Sequence, residues 1–221
     1  MRLSPLRSRT ALSIVTLAVL FFGAAAAQAT INKSIRVDHG EIVGHDLSSV
    51  NGSIRVGDQA DIRGEVSTVN GRIALGDDCS TRELSSVNGS ITIGRRGVVD
   101  GDMEAVNGSL RADDGTVVRG NVNTVNGGID LRGATVERHV ETVNGSITLD
   151  EGTIVEGDVI VEDAGRNWGW GRRKPIEIEI AGGSVVKGNV ENLDEDREVI
   201  VVLRGGSTVE GEILGAEVER R

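Results

Sequence analysis

Short runs of alternating hydrophobic and polar residues extend over most of the chain. In segment 143–149, Val143, Ile147 and Leu149 fall on one parity, a pattern typical of a β-strand with one buried face. Large aliphatic residues then recur about every six positions, at Val155 and Val161. Three sides of about six residues each therefore predict one coil of a solenoid.

A tripeptide repeat gives this pattern a longer period. Val-Asn-Gly occurs six times at intervals of 18 or 19 residues, and segment 31–35 is a degenerate first copy. The copies begin at Val50, Val69, Val87, Val106, Val125 and Val143. A constant period of about 20 residues is the signature of a repeat architecture.

Two β architectures compete for this repeat. An Asn-Gly pair between hydrophobic flanks is a strong hairpin signal, but a hairpin would place Val143 on a polar face with Glu141 and Thr148. In a solenoid, Asn-Gly is a corner, because both residues tolerate positive φ, and Val143 and Ile147 then both point inward. We predict an all-β fold, a three-sided parallel β-helix of about nine coils. Right-handed crossovers are the rule for parallel strands, so we expect a right-handed solenoid.

Stacked coils would bring the repeated asparagines together. Successive strands lie about 4.8 Å apart, so each amide can donate to the carbonyl of the adjacent coil and satisfy a buried polar group. The predicted ladder contains Asn51, Asn70, Asn88, Asn107, Asn126 and Asn144.

The next turn of each coil is predicted to alternate in charge. Like charges stacked at the strand spacing repel each other, and alternating sign relieves that repulsion. Equivalent or adjacent turn positions hold Asp77, Arg95, Asp113, Arg132 and Asp150.

The chain ends and irregular segments define the domain organisation. A basic start, an apolar run at 11–22 and an Ala-Gln-Ala site at 27–29 predict a secretory signal peptide over 1–29. Residues 30–221 form one predicted β-solenoid domain. Longer spacing between glycine motifs after Val161 predicts two protruding loops, the first inserted at about 162–175 and the second near 192–198.

Composition excludes several classes of protein. The chain has 31 glycines, no tyrosine, two phenylalanines inside the predicted signal peptide and two tryptophans, so an aromatic-rich globular core is excluded. A net charge of −10 disfavours a nucleic-acid groove. One cysteine excludes an intrachain disulfide framework. We expect no cofactor, no resident metal, no nucleic-acid partner and no transmembrane span after signal cleavage.

One segment departs from the repeat and is the candidate partner-binding site. It combines both tryptophans with four bases in an acidic protein: Arg166, Trp168, Trp170, Arg172, Arg173 and Lys174. Tryptophan with arginine suits membrane interfaces, sugars or a protein hot spot. The alternative is a loop that caps or covers the solenoid.

Other candidate groups have simpler interpretations. His39, His45 and His139 show no spacing of a catalytic triad, and we expect them at the surface. Cys79 is expected to be a small filler at a turn, the alternative being an intermolecular disulfide. Acidic turns such as 77–78 are expected to be solvated rather than bound to calcium.

The repeats resemble two bacterial families. The Val-Asn-Gly-Ser-Ile copies resemble the bacterial putative-adhesin repeat family, which implies an exported β-repeat protein. The Gly-x-Val/Ile motifs at Gly101, Gly120, Gly188 and Gly211 are similar to those of bactofilins, which implies a three-sided β-helix that forms polymers. The six-residue spacing also resembles hexapeptide acyltransferases, left-handed β-helices. None of these resemblances carries over a catalytic residue.

These observations lead to a functional expectation. We expect an exported, non-enzymatic structural or adhesin-like solenoid of the periplasm or cell surface, which self-associates end to end. The alternative is an envelope binding module that uses the Trp168–Trp170 loop for glycan, peptidoglycan or lipid. An enzyme acting on polysaccharide is the third interpretation.

Overall fold

The computed structural model describes residues 31–164 and 174–221. These residues form 26 β-strands, and no helix occurs among them. All the strand pairs are parallel, as in the pairing of Ile35 with Ile54. The predicted signal peptide and most of the predicted Trp/Arg loop lie outside the described residues.

Ten strands stack into the first sheet, here called face 1. In stacking order they are β1 Ile35–Val37, β4 Ile54–Val56, β6 Ile73–Leu75, β8 Ile91–Ile93, β11 Leu110–Ala112, β14 Ile129–Arg132, β17 Ile147–Asp150, β20 Ile176–Ile180, β23 Val199–Leu203 and β26 Glu217–Arg220. Equivalent repeat positions pair directly, so each coil advances the sheet by one strand.

Face 2 follows face 1 along every coil and consists mostly of two-residue strands. It contains β2 Ile42–Val43, the first parts of β5 Asp61–Thr68 and β7 Ser80–Ser86, then β9 Val98–Val99, β12 Val117–Val118, β15 Thr135–Val136, β18 Ile154–Val155, β21 Val185–Val186 and β24 Thr208–Val209.

Face 3 closes the triangle and leads back to face 1. It contains β3 Leu47–Ser49, the second parts of β5 and β7, then β10 Met103–Ala105, β13 Val122–Thr124, β16 Val140–Thr142, β19 Val159–Val161, β22 Val190–Asn192 and β25 Ile213–Leu214. β5 and β7 run through the corner between faces 2 and 3, where their register shifts between Ile62 and Glu65. The all-β, three-sided parallel solenoid of about nine coils is therefore confirmed.

An aliphatic column fills the interior. One continuous cluster of buried side chains extends from Val37 to Leu203, and most of its members are fully inaccessible. Each such side chain contributes roughly 1.5–3 kcal/mol when removed from water. The column contains alanine, valine, leucine, isoleucine, one methionine and Cys79, so a narrow interior replaces the aromatic core of an ordinary globular domain.

The prediction that the Val-Asn-Gly valines point into this column is wrong. Val140 and Thr142 of β16 both face inward, and the alternation of a strand then turns Val143 outward. Val125 and Val143 form a separate small cluster, against which Val106 and Ala164 pack. The inward position at this corner is a serine or threonine in most coils, such as Thr124, which donates to the Gly108 carbonyl at 3.2 Å, and is Ala105 in one.

The reason predicted for the Asn-Gly pair is also wrong. None of the six repeated asparagines and glycines has positive φ. Instead, the glycines stack so closely that a Cβ on Gly108 would lie 2.0 Å from the Gly89 carbonyl oxygen, and one on Gly145 would lie 1.7 Å from that of Gly127. The absence of a side chain, rather than backbone freedom, is what this corner requires.

Apart from Asn32 and Gly215 at the corner between faces 3 and 1, the left-handed residues lie at the turn between faces 1 and 2. Positive φ occurs there at Asp78 (57°), Arg96 (56°), Gly115 (73°) and Gly133 (58°), and at the pair Glu151 and Gly152 (56° and 77°). This second turn therefore supplies the left-handed geometry that the sequence suggests for Asn-Gly.

Candidate interaction surfaces

The repeated asparagines form a continuous chain of side-chain hydrogen bonds. Each Nδ2 donates to the Oδ1 of the preceding coil, and the distances are 2.6 Å for Asn51 to Asn32, 2.8 Å for Asn70 to Asn51, 2.9 Å for the next three rungs and 3.2 Å for Asn144 to Asn126. The side chains are mostly exposed. The ladder therefore holds the coils in register at the surface, and does not satisfy buried polar groups as predicted.

An arginine that the repeat does not reveal ends this ladder. Nη2 of Arg197 donates to Asn144 Oδ1, and Nη1 donates to the Lys174 carbonyl at 3.0 Å. Arg197 lies in the second predicted loop, between β22 and β23. Arg197 thus takes the position of an eighth asparagine after the seven from Asn32 to Asn144. Its two hydrogen bonds connect both irregular segments to the regular coils.

The outer surface of face 3 carries a series of carboxylates. Glu65 is opposite Glu83 in adjacent strands, and Glu104 and Glu141 are the two neighbours of Asn123. Glu65, Glu104 and Glu141 are buried, as is Glu162 after β19. An outward glutamate in a strand ordinarily remains hydrated, so the hydrophobic pattern alone does not predict this burial.

Burial raises the pKa of every one of these carboxyl groups. The pKa of Glu83 rises to about 7 through loss of hydration and repulsion from Glu65, Glu104 and Asp102. The pKa of Glu141 also rises to about 7, through loss of hydration and repulsion from Glu162 and Glu104.

The charged groups of the second turn behave in the opposite way. Asp77 pairs with Arg95 of the next coil at 2.6 Å, and Asp78 pairs with Arg96 at 2.6 Å. The hydrogen bonds from these arginines lower the pKa of both aspartates. The predicted alternation of charge between adjacent turns is thus present here as direct ion pairs.

Face 1 presents an open polar surface. Arginine, serine and threonine side chains line a shallow groove of about 500 Å³ over its middle strands. Arg111 of β11 pairs with Asp130 of β14 at 2.7 Å, and Arg132 pairs with the same carboxylate at 3.1 Å. The floor of the groove is the sheet of face 1 itself, so charged and hydroxyl side chains project from a flat surface.

The remaining candidate groups are accounted for by local contacts. His139 is half-exposed, and its Nδ1 accepts a hydrogen bond from the Asp158 amide at 3.0 Å. Cys79 is buried, and its Sγ donates to the Gly57 carbonyl at 3.1 Å, so it fills the interior and is inaccessible for an intermolecular disulfide. No group of acidic, histidine or cysteine side chains suited to a metal ion occurs within 31–164 and 174–221.

The predicted Trp/Arg site falls within the described residues only at Lys174. Arg166, Trp168, Trp170, Arg172 and Arg173 lie outside the described residues. Lys174 is exposed, and only its carbonyl contact with Arg197 is described.

Fold and surfaces together define the class of this protein as a three-sided parallel β-solenoid with polar, charge-patterned faces. Comparison of the chain with protein families, curated proteins and solved structures finds no match. Across the described parts of the chain, no helix has the length and apolar character needed to cross a bilayer.

Proposed function

We propose that this protein is an exported structural element of the cell envelope, a rigid rod that assembles end to end in an adhesin-like or scaffolding role. The observation that carries the proposal is the state of the two solenoid ends. Within the described residues, β1, β2 and β3 each pair with strands on one side only, and so do β24, β25 and β26.

Exposed aliphatic side chains accompany these strand edges. Ile42 is 62% exposed at the first coil, and Leu214 and Val218 are 43% and 44% exposed at the last. An unpaired edge is a template for another strand. A first coil placed on the last coil of another copy would continue all three parallel sheets. Such a head-to-tail contact does not close on itself and therefore generates filaments.

The test is sedimentation velocity and electron microscopy of the chain from Thr30 over rising protein concentration. We expect filaments that lengthen with concentration and shorten in the Ile42→Lys variant. Ile154→Lys is the matched control, because Ile154 occupies the equivalent position in the middle of face 2. A monomer at every concentration would contradict the proposal. It would favour the alternative function, an envelope binding module that uses the Trp168–Trp170 loop.

A further inference from the structure

The outward residues of face 1 form three columns, one residue per strand. Column A, at the strand centres, is Arg36, Arg55, Ala74, Thr92, Arg111, Asp130, Thr148, Glu179, Val202 and Glu219, of which Val202 is buried. Column B, two residues earlier, is Ser34, Ser53, Arg72, Ser90, Ser109, Gly128, Ser146, Glu177, Ile200 and Glu217. The charged residues of column C, two residues after column A, are Asp38 beside the first strand, Asp113 beside the fifth, Arg132 and Asp150 at the ends of the sixth and seventh, Arg204 beside the ninth and Arg221 beside the tenth.

Charge is segregated along columns A and B. All of their arginines lie on the first five strands, and all of their acidic residues lie on the last five. Arg36, Arg72 and Glu177 are exposed. Columns A and B therefore present one positive half and one negative half, in which Arg36, Arg72 and Glu177 form no ion pair with the described residues.

A second copy of this chain matches this pattern when the two rods are antiparallel. Consider a two-fold axis (dyad) that lies between β11 and β14. The first strand of face 1 then faces the tenth strand of the other copy, and the fifth faces the sixth. Column A then brings Arg36 to Glu219 and Arg111 to Asp130. Column B brings Arg72 to Glu177. Column C brings Asp38 to Arg221 and Asp113 to Arg132. No like charges meet in any column.

Parallel stacking and half-spacing shifts lose this match. Parallel stacking places Arg36 on Arg36 and Glu179 on Glu179, which repel. A shift of the dyad by half a strand spacing in one direction places Arg111 against itself, and in the other direction it places Asp130 against itself. The register centred between β11 and β14 avoids both self-contacts and overlaps all ten strands.

The size of the face predicts a weak contact. Ten strands at about 4.8 Å spacing and about four residues of width give roughly 550 Å² per copy, or about 1,100 Å² in total. This lies just below the range of stable interfaces. The contact consists of exposed charges and hydroxyls, so it should be strongly sensitive to salt.

We propose that face 1 is a self-association surface, through which two copies stack antiparallel about a dyad between β11 and β14. This lateral contact uses the outward side chains of face 1, whereas the end-to-end contact uses the free strand edges of the first and last coils. Either contact can therefore fail without the other.

Charge reversal tests the pairing of Arg72 with Glu177. All variants are made in the Ile42→Lys protein, here called the parent, in which filaments are suppressed. In equilibrium sedimentation, we expect a salt-sensitive monomer–dimer equilibrium for this parent. Arg72→Glu alone and Glu177→Arg alone should each weaken the dimer by about tenfold or more, because both copies of the pair become repulsive. The double variant should recover the dimer.

Mixing gives the sharpest result. In a heterodimer of Arg72→Glu with Glu177→Arg, both contacts join opposite charges, so the mixture should dimerise although each component does not. Glu137→Arg and Arg138→Glu, exposed on another side of the rod, should leave the equilibrium unchanged. Circular dichroism verifies folding of each variant. Three results would overturn the proposal: a monomeric parent at low salt, single reversals that dimerise like the parent, or a mixture that stays monomeric.

Discussion

Each coil turns at an Asn-Gly corner and again at the second turn, and the two places use glycine and charge in opposite ways. At the Asn-Gly corner glycine is required by backbone proximity, whereas at the second turn positive φ favours glycine but is also adopted by Asp78, Arg96 and Glu151. The strands leading into the Asn-Gly corner carry carboxylates whose pKa is raised by burial, whereas the second turn carries aspartates whose pKa is lowered by arginine. The two turns are therefore similar in composition, since both contain glycine and charged residues, but the physical reasons for those residues differ.

The largest expected effect comes from adding one methyl group at the Asn-Gly corner. Gly108→Ala places a Cβ 2.0 Å from the Gly89 oxygen, which forces two coils apart and should reduce the free energy of unfolding by about 3 kcal/mol. Denaturant unfolding followed by circular dichroism measures this. Gly44→Ala is the control, since Gly44 has no atom within 4 Å of the new Cβ and no positive φ. Equal stability of the two variants would contradict close stacking.

The same substitution at the second turn should cost less. Gly152 has a φ of +77°, and no atom lies within 4 Å of the Cβ that alanine would add, so Gly152→Ala introduces strain without a clash. We expect a loss of about 1–2 kcal/mol in the free energy of unfolding. A loss as large as that of Gly108→Ala would remove the distinction between the two turns.

The buried carboxylates predict an unusual pH dependence near neutrality. Glu83 and Glu141 have folded pKa values of about 7, above their ordinary value, so the folded state binds protons more tightly than the unfolded chain. Stability should rise as pH falls from about 8 to 5. We expect roughly 1–2 kcal/mol per group after allowance for solvent screening.

A matched pair of variants isolates this effect. Glu141→Gln should flatten the pH dependence and raise stability at pH 8, whereas the exposed Glu137→Gln should do neither. At the second turn the sign is opposite: Asp77 and Asp78 stabilise the fold when ionised, and this contribution is lost as pH falls through their lowered pKa values. A flat profile between pH 8 and 5 for the unaltered protein would contradict the burial of charge on face 3.

The smallest effect is expected at the surface ladder. Asn107→Ala removes the donor to Asn88 and the acceptor for Asn126. Water reaches the partners left behind, so the loss should be about 1 kcal/mol or less. Thermal unfolding compared with Ser109→Ala, on the same coil, measures it. A loss above that of Gly108→Ala would mean that the side-chain ladder, and not backbone stacking, dominates this corner.

The sequence sufficed for the fold because the repeat is a geometric constraint: copies of equal length can stack only in register. It predicted the asparagine contacts for the same reason. It did not predict the direction of Val143, because inward Thr142 reverses the parity at the corner. It also did not reveal the charge match of face 1, since partners such as Arg72 and Glu177 lie 105 positions apart and become related only through strand order.

One coil per repeat copy is the central structural claim, and distances between spin labels test it directly. Ser53 and Ser146 directly precede the second and seventh strands of face 1, and Glu217 is the first residue of the tenth. Labels at positions 53 and 146 should be about 24 Å apart, and labels at 53 and 217 about 38 Å apart, because each strand adds about 4.8 Å. The labels would be placed on Cys79→Ala protein diluted with unlabelled chains and measured by pulsed electron paramagnetic resonance. Distances in the ratio of five to eight support the stacked coils. Distances that do not increase with the number of intervening copies would contradict them.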